Sequence, residues 1–370
     1  MRNVTNCHEG TPMEISIRPV PAEKRKEKPS DETRLVFGKV FSDHMFMMDY
    51  EQGIGWKDPR IVPYQELRLD PAAMVLHYGQ GIFEGLKAYR CRDGRIHLFR
   101  PKKNMERFNK SAQRMCMPEI PVDFQLQVLT ELLKLDVDWI PRSIGSSLYI
   151  RPTMIATEPA LGVRPAHNYL YYIITGPVGA YYPEGFKPVK IYVTDEYVRA
   201  VRGGVGEVKT MANYAASIYA AEIAKKEGFT QVLWLDAIEK RYVEEVGTMN
   251  IFFRIKDELI TPALTGSILP GITRDSVIQL ARHWGIKVVE RRISIDEVIE
   301  AADSGEMLEA FGTGTAAVIS PVGEIRYKGR DHRIQNGRVG EWSRRFYEEI
   351  VGIQYGERED IFGWIYRLRL

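Results

Sequence analysis

The spacing of apolar residues predicts that the first half of the chain folds as an antiparallel α+β region. Apolar runs of strand length lie at residues 35–41, 44–50, 147–152 and 169–175, and amphipathic helical spacing lies at 102–115 and 124–139. Asp93 and Gly94 separate two further apolar runs and form the dipeptide of a two-residue β-hairpin. Residues 176–183 are rich in Gly and Pro, so we expect a domain linker there.

The second half of the chain alternates predicted strands and helices, which is typical of an α/β region. Strands are expected at 189–194, 231–235, 242–253, 258–261 and 286–290, and helices at 272–284 and 340–355. Ser294, with Glu297 three residues later, is the capping-box pattern of another helix start. A further helix is predicted to be capped by Asn213 and to end at Gly228. Its buried face would comprise Ala216, Tyr219, Ala220, Ile223 and Ala224.

These patterns divide the chain into four parts. Residues 1–33 are polar, carry mixed charges without periodicity and predict a solvated arm. A small α+β domain (34–176), an interdomain loop (177–188) and a large domain (189–370) follow. Two domains also agree with a length of 370 residues, at about 150 residues each.

Composition excludes several classes of function. The net charge of +2 leaves no electrostatic footprint for nucleic acid. No apolar run approaches the roughly 18 residues of a membrane span, and the N-terminus lacks the apolar region of a signal peptide. The seven histidines and three cysteines show no metal-ligand spacing. We therefore expect no metal, reduced thiols and a cytoplasmic location.

Lys209 is the first candidate for chemistry. It follows Gly203, Gly204 and Gly206 and lies just before a predicted helix. Glycines let the backbone approach closely, and apolar surroundings favour the neutral, nucleophilic amine. From this segment alone a solvated loop lysine is the simpler interpretation.

A carboxylate and two loops add to this candidate. Glu245 lies in an apolar, strand-like run, where a buried carboxylate needs a cationic partner; an exposed edge glutamate is the alternative. Residues 270–273 begin a helix whose N-terminus could bind phosphate. The loop at 312–317 matches a dinucleotide fingerprint only weakly, since a strand-like run follows it, and we interpret it as an anion-binding loop. Pyridoxal phosphate is a cofactor that would use all of these groups together: a lysine, a carboxylate, a tyrosine and two phosphate-type loops.

At these residues the sequence resembles the branched-chain amino acid aminotransferases, pyridoxal-phosphate enzymes of fold type IV. The resemblance extends from about Leu35 to the C-terminus. Its motifs are residues 83–88 (FEGLKA), 104–107 (NMER), 149–152 (YIRP), Lys209 with Asn213-Tyr214, 245–250 (EVGTMN), 269–272 (LPGI) and 314–316 (GTA). The resemblance implies a smaller N-terminal α+β domain and a larger C-terminal α/β domain built as a pseudo-barrel.

The resemblance also implies a role for each cofactor residue. Lys209 would bind the cofactor aldehyde covalently and then act as the base of the reaction. Glu245 would pair with the pyridine nitrogen and Tyr214 would bond the phenolic oxygen. The phosphate would be held by Arg107, Ile272, Thr273 and Thr315.

On the substrate side, the resemblance implies that Thr315 and Ala316 bind the α-carboxylate. An apolar pocket would be walled by Phe37, Tyr78, Phe83 and Tyr149 and covered by Tyr181. Arg151 would receive the distal carboxylate of glutamate. The implied reaction transfers the amino group of leucine, isoleucine or valine to 2-oxoglutarate by a ping-pong route in a homodimer or larger homo-oligomer.

Some relatives carry a redox-active CxxC motif after the Gly-Thr-Ala loop. Here the matching positions are Ala317 and Ser320, so we expect no such thiol switch. Reversible peroxide inhibition through a dithiol near Ala317 would contradict this expectation.

Two other functions stay open. Within the same fold, a D-amino acid aminotransferase or an aminodeoxychorismate lyase would keep a similar lysine and glutamate but use other carboxylate-binding residues. A phosphate- or nucleotide-binding regulatory protein could use the loop at Gly312 without catalysis, and it would not need Lys209 and Glu245.

Overall fold

The computed structural model describes residues 13–179 and 186–369, which form two compact units. The first unit ends at Gly179 and is completed by the segment that starts at Trp364. The second unit extends to Gly363. The C-terminal segment, expected in the large domain, belongs to the first unit because its final strand pairs there.

The first unit is a largely antiparallel sheet with helices packed on it. Its strands are β1 (Ser16–Ile17), β2 (His44–Glu51), β3 (Gly55–Pro63), β4 (Gly81–Phe83), β5 (Leu86–Arg90), β6 (Ile96–Phe99), β7 (Ser147–Ala156) and β8 (Asn168–Val178). Its helices are α1 (Met74–Tyr78), α2 (Pro101–Arg114) and α3 (Val122–Leu135), with short 3₁₀ turns at Ala22–Lys24, Glu32–Arg34 and Val137–Trp139. The strands pair in the order β1-β3-β2-β8-β7-β5-β6, and β4 pairs with β7.

Strand β7 shows how the sequence assigns the two faces of this sheet. Successive side chains of a strand point to opposite faces. Leu148, Ile150 and Met154 belong to the apolar core, which also receives Phe108 of α2 and Leu132 of α3. The alternate positions, Tyr149, Arg151 and Thr153, therefore face away from that core. Polar and aromatic side chains are thus collected on one face.

The second unit is a mixed sheet that closes on itself. Its elements are β9 (Val189–Thr194), α4 (Met211–Lys226), β10 (Gln231–Leu235), β11 (Val243–Val246), β12 (Met249–Ile255), β13 (Glu258–Thr261), α5 (Ile272–His283), β14 (Lys287–Glu290), α6 (Ile295–Ser304), β15 (Met307–Gly314), β16 (Val318–Tyr327), β17 (Arg330–Arg333), a 3₁₀ turn at Gln335–Gly337 and α7 (Glu341–Gln354). The strand order is β11-β10-β9-β16-β15-β12-β13-β14, and β17 joins β16. Because β11 also pairs with β12, six strands form a closed ring. This agrees with the expected pseudo-barrel.

The final strand, β18 (Ile365–Leu368), pairs antiparallel with β6 and belongs to the first unit. Trp364 anchors this segment, since its carbonyl accepts a hydrogen bond from Arg100 N–H at 2.8 Å and its ring packs on Phe99 at 5.5 Å. The chain around β18 shows no strong strand pattern, so this pairing could not be predicted from the sequence.

One prediction for the N-terminal region is wrong and another is confirmed in part. Residues 35–41 contain a turn with Gly38 at φ +71°, not a strand. Most described residues of the arm are exposed, as predicted, but the arm is also bound to the first unit. Val20 N–H donates to His44 Nε2 at 2.9 Å, and Lys26 N–H donates to Asp43 at 2.9 Å. Residues 1–12 lie outside the described residues.

Other local predictions are confirmed in whole or in part. A hairpin at Asp93-Gly94 joins β5 to β6 as predicted, but its loop has three residues and not two, since Cys91 N–H donates to the Arg95 carbonyl at 2.8 Å and Gly94 lies at φ +85°. Ser294 accepts a hydrogen bond from Glu297 N–H at 3.1 Å and caps α6. Among residues 13–179 and 186–369, no helix has both the length and the apolar character needed to cross a bilayer.

Candidate active site

Lys209 and Tyr214 face each other at the start of α4. The lysine precedes the helix by two residues, and the tyrosine lies on its first turn. Lys209 Nζ donates a hydrogen bond to the Tyr214 hydroxyl at 2.7 Å and lies 5.3 Å from the ring centroid. The helix start therefore holds an amine beside a phenol, which are the two groups that the sequence singled out.

The glycine-rich segment before Lys209 is packed closely, as predicted, but Asn213 does not cap the helix. A Cβ on Gly206 would lie 2.3 Å from the Ser267 carbonyl oxygen, so only glycine fits there. Asn213 lies inside α4, and its amide donates to the carbonyls of Val205 at 2.8 Å and Val208 at 2.9 Å. The predicted helix cap is therefore wrong, and Asn213 instead fixes the loop that carries Lys209.

The predicted buried face of α4 is only partly correct. Ala220 and Ala224 are buried against Phe229 and Trp234. Ala216 and Tyr219 are exposed, and Tyr219 packs on Tyr197 with a ring separation of 5.3 Å. Apolar composition around the whole helix concealed which face is covered.

Glu245 is a buried carboxylate on β11. It is 4% exposed and accepts hydrogen bonds from Leu269 N–H at 3.0 Å and from the Asn250 amide at 3.2 Å. Arg199 Nε lies 2.9 Å from Oε2 as an ion pair. Burial raises the pKa of Glu245, and the Arg199 charge acts in the opposite direction. The sequence prediction of a buried glutamate that needs a cation is therefore matched by the geometry.

Arg199 is the residue of this cluster that sequence reasoning missed. Its Nη2 donates to the backbone carbonyls of Gly206 and Ser267, so one side chain contacts both the lysine loop and the Glu245 neighbourhood. Its Nε–H, although close to Glu245, has no aligned hydrogen bond within the described chain. The run around Arg199 shows neither a motif nor helical spacing, so only the folded structure could reveal this contact.

Several of these side chains line one small open cleft, and Lys209 reaches it through its hydrogen bond to Tyr214. Its lining comprises Arg199, Val208, Asn213, Tyr214, Ser217, Glu245, Gly247, Thr248 and Leu269. Convergent polar groups of this kind are typical of small-molecule sites.

Two backbone features predicted to bind anions belong to the same unit. Helix α5 begins after Gly271 without a side-chain cap, so the N–H groups of Ile272 and Thr273 lie at its positive dipole end. A Cβ on Gly271 would lie 2.0 Å from Asn250 Oδ1, so this helix start packs directly against the Glu245 network. Thr315 and Ala316 form the turn between β15 and β16.

Arg107 lies in the first unit and is held by a carboxylate. Its Nε and Nη2 donate to Glu84 at 2.7 and 2.9 Å. Asn104 donates to the same carboxylate at 2.8 Å, and Glu84 is fully buried. Helix α2 therefore presents a guanidinium in a fixed orientation, and the sequence motifs at 83–88 and 104–107 meet in space.

The predicted substrate residues Phe37, Phe83, Tyr149 and Arg151 form a second cluster in the first unit. Arg151 Nη2 donates to the Tyr149 hydroxyl at 2.9 Å, and its guanidinium lies 4.5 Å from the Phe83 ring centroid. Phe37 packs edge-on against Tyr149 at 4.8 Å. Among the described residues, the buried Arg151 Nε has no hydrogen-bond partner. A Cβ on Gly85 would lie 2.1 Å from the Tyr149 hydroxyl, so this arrangement needs glycine.

Tyr78 is not part of the contacts just described. It ends helix α1, is 40% exposed and lies beside His77 at a ring separation of 6.1 Å. Tyr181 falls outside the described residues.

Comparison with known proteins defines the class. The family model for amino-transferase class IV matches residues 81–325, well over half of the chain. The chain therefore belongs to the class IV aminotransferases and is an aminotransferase enzyme.

Its relatives are more specific. Branched-chain-amino-acid aminotransferase 2 of Bacillus subtilis (strain 168) is 57% identical over 349 residues, which cover 94% of this chain and 96% of that protein. The crystal structure of the Escherichia coli branched-chain amino acid aminotransferase is 26% identical and has a TM-score of 0.74, covering 90% of this chain and 100% of the other. The branched-chain amino acid aminotransferase from Thermobaculum terrenum, solved in its PLP-form, is 25% identical with a TM-score of 0.71, covering 88% and 98%. These findings confirm the family and the fold class expected from the sequence.

Proposed function

We propose that this enzyme transfers the amino group of leucine, isoleucine or valine to 2-oxoglutarate, giving branched-chain 2-oxo acids and glutamate. The observation that carries the proposal is the buried Glu245–Arg199 pair beside the Lys209–Tyr214 hydrogen bond in one cleft. The names of the relatives support the choice of branched-chain substrates.

The residues of the cleft suit pyridoxal phosphate. Lys209 supplies an amine for the aldehyde, Tyr214 a hydroxyl for the phenolic oxygen, and Glu245 an anion for the ring nitrogen. Because Arg199 Nε–H is not aligned on Glu245 Oε2, that oxygen keeps capacity to accept a hydrogen bond from a ring N–H. We assign the phosphate to the helix N-terminus at Ile272 and Thr273, to Thr315, and to the guanidinium of Arg107. The relative solved in its PLP-form supports this cofactor.

When bound, this cofactor supplies an electron sink for the electrons left by the departing Cα proton. The chain's own residues then perform three tasks. Lys209 would hold the cofactor's aldehyde and, as a free amine, would move the proton from the substrate Cα to the cofactor's C4′. Tyr214, which accepts a hydrogen bond from this amine, would orient it. Glu245 would hold the proton on the ring nitrogen. Since the second substrate uses the same residues in reverse, we expect ping-pong kinetics.

The substrate roles are part of the proposal. We propose that N–H groups of the Thr315–Ala316 turn bind the α-carboxylate. Phe37, Phe83, Tyr149 and Tyr78 would contact the aliphatic side chain, and Tyr181 would cover it. One methylene in such a pocket is worth only about 1–3 kcal/mol, so we expect leucine, isoleucine and valine all to be used.

Replacing Arg151 by Met is expected to impair the 2-oxoglutarate half-reaction selectively. A hydrogen bond between charged groups is worth about 1.5–3 kcal/mol, which corresponds to roughly a 10–100-fold lower kcat/KM. The half-reaction with leucine should change less than threefold, because leucine has no second carboxylate. Stopped-flow measurement of each half-reaction checks this. Arg95→Met, an arginine paired with Asp93 on a hairpin turn, is the control, and an equal loss in both half-reactions would contradict the assignment.

A homodimer also belongs to this proposal. Helix α1 and the segment 159–163 are joined through an Ala73–Pro159 bridge. Together they expose Leu76 (59%), Leu161 (71%) and Val163 (88%), which we take as one apolar patch of the kind that marks interaction sites. We propose that a second copy of this chain covers the patch, and the molar mass in solution tests it. The cytoplasmic location remains a prediction from the cysteine pattern.

An absorbance spectrum with and without leucine tests the proposed function. A band near the visible edge that changes on adding leucine supports it. A band that responds to D-alanine and not to leucine would instead favour a D-amino acid aminotransferase. No band after addition of pyridoxal phosphate would refute the cofactor assignment.

A further inference from the structure

A second buried carboxylate, Glu244, adjoins Glu245 on β11. Neighbouring residues of a strand point to opposite faces, so Glu244 lies behind the cofactor cleft. It is 6% exposed and lines a separate cavity between the loop at 236–242 and the segment 262–268. Neither the sequence patterns nor the proposed mechanism gives it a role.

Glu244 is connected to Glu245 through one short segment, residues 267–269. Ser267 Oγ donates a hydrogen bond to Glu244 Oε1, and the Ser267 carbonyl accepts one from Arg199 Nη2. Two residues later, Leu269 N–H donates to Glu245 at 3.0 Å. Displacement of Ser267 would therefore disturb two of the groups that hold Glu245.

Burial and nearby charges act on Glu244 in opposite directions. Burial raises the pKa of Glu244 and Asp236 acts in the same direction, whereas Arg199 and Arg202 lower it. Glu245 is influenced by Arg199, Glu244 and Lys209. Because Glu244 Oε2 has no hydrogen-bond partner within the described chain, the contact of Oε1 with Ser267 is what orients this carboxyl.

We propose that Glu244 is a positioning residue that, through Ser267 and Arg199, holds Glu245 in the place and charge state needed to bind the cofactor's ring nitrogen. This inference rests on the proposed function. Glu244 does not touch the cofactor itself, and its effect is transmitted through the segment 267–269.

Three variants and one control test the proposal. Glu244→Ala and Ser267→Ala each remove one end of the Ser267–Glu244 hydrogen bond, whereas Glu244→Gln keeps an uncharged acceptor for Ser267. Glu239→Ala is the control, because Glu239 lines the same cavity but is half exposed and paired with Arg292. For each protein, pyridoxal phosphate is titrated into the cofactor-free form. The pH midpoint of the bound cofactor's absorbance is then measured without substrate.

We expect Glu244→Ala and Ser267→Ala to bind pyridoxal phosphate about tenfold more weakly, the lower end of what outer-shell partners of a ligand group typically contribute. The pH midpoint should move in both. Glu244→Gln and Glu239→Ala should remain within about twofold of the unmodified enzyme. The effect of Ser267→Ala, which removes the hydrogen-bond donor and almost no volume, distinguishes this role from simple packing.

Unchanged affinity and midpoint in both Glu244→Ala and Ser267→Ala would overturn the proposal, and so would a loss in Glu244→Gln as large as in Glu244→Ala. If Glu244→Ala fails to fold, Ser267→Ala, which removes a single hydroxyl, decides the question alone. Failure of the unmodified enzyme to bind pyridoxal phosphate would instead refute the proposed function.

Discussion

Lys209→Ala is expected to lose turnover almost completely, with kcat lower by at least about 10³-fold, since general acid–base catalysis alone contributes 10²–10⁴-fold. The variant loses both the covalent anchor and the base that moves the Cα proton. No neighbouring lysine on α4 replaces it, because Lys225 and Lys226 lie in the last turn of that helix. The measurement is the rate of glutamate formation from leucine and 2-oxoglutarate.

Lys225→Ala is the matched control, since it removes an exposed lysine from the same helix. Borohydride reduction followed by mass spectrometry gives a second readout. The cofactor should be fixed to the peptide containing Lys209 in the unmodified enzyme and should be released from Lys209→Ala. Near-normal turnover of Lys209→Ala, or fixation at another lysine, would remove Lys209 from this role.

Elements with strong local signals were predictable from the sequence. Helices α2 and α3 begin and end within a few residues of their predicted bounds, and α6 begins at its predicted cap, because apolar spacing and a side-chain cap act within one or two turns. The turn at 35–41 was missed because its apolar residues mimic a strand, although Gly38 adopts a positive φ. The arm is largely exposed, as predicted, but its contacts with His44 and Asp43 could not be predicted, since they depend on tertiary structure rather than on its own composition.

The candidate site shows the same division. Lys209, Tyr214 and Glu245 carry recognisable motifs, and the structure places all three in or beside one cleft. The partner of Glu245 could not be predicted, because Arg199 lies 46 residues earlier in an ordinary run and meets it only through the fold. The motifs identified the residues proposed to carry the chemistry. The charged side chain that pairs with Glu245, in contrast, belongs to a residue without a motif.

Asn213 illustrates why a motif residue can be identified correctly and explained wrongly. Asparagine near a helix start is usually read as a cap, because its side chain accepts from free N–H groups. Here it donates to two carbonyls of the preceding loop. It thereby restrains the loop that ends at Lys209. We therefore expect this asparagine to be needed for the geometry of the site and not for the stability of α4.

Glu245→Gln is the second variant for which we expect a large effect. Glutamine keeps the acceptor for Leu269 N–H but removes the negative charge that holds a proton on the ring nitrogen. Removing one preorganised group that stabilises charge in the transition state typically lowers kcat by about 10²–10³-fold. Steady-state kinetics at saturating pyridoxal phosphate measure this loss. Glu324→Gln is the control, because Glu324 is also buried on the same sheet and paired with Lys190 at 3.1 Å.

The pH profile separates the charge of Glu245 from its shape. Because burial raises the pKa of this carboxyl above its usual 4.5, it takes up a proton at a higher pH than an exposed glutamate. As the pH falls through that raised pKa, the negative charge is lost, and kcat should fall with it. Glu245→Gln cannot titrate, so its residual activity should lack this acid limb. If Glu245→Gln retained kcat within tenfold of the unmodified enzyme, or kept the same acid limb, the ring nitrogen would have to be held by another group.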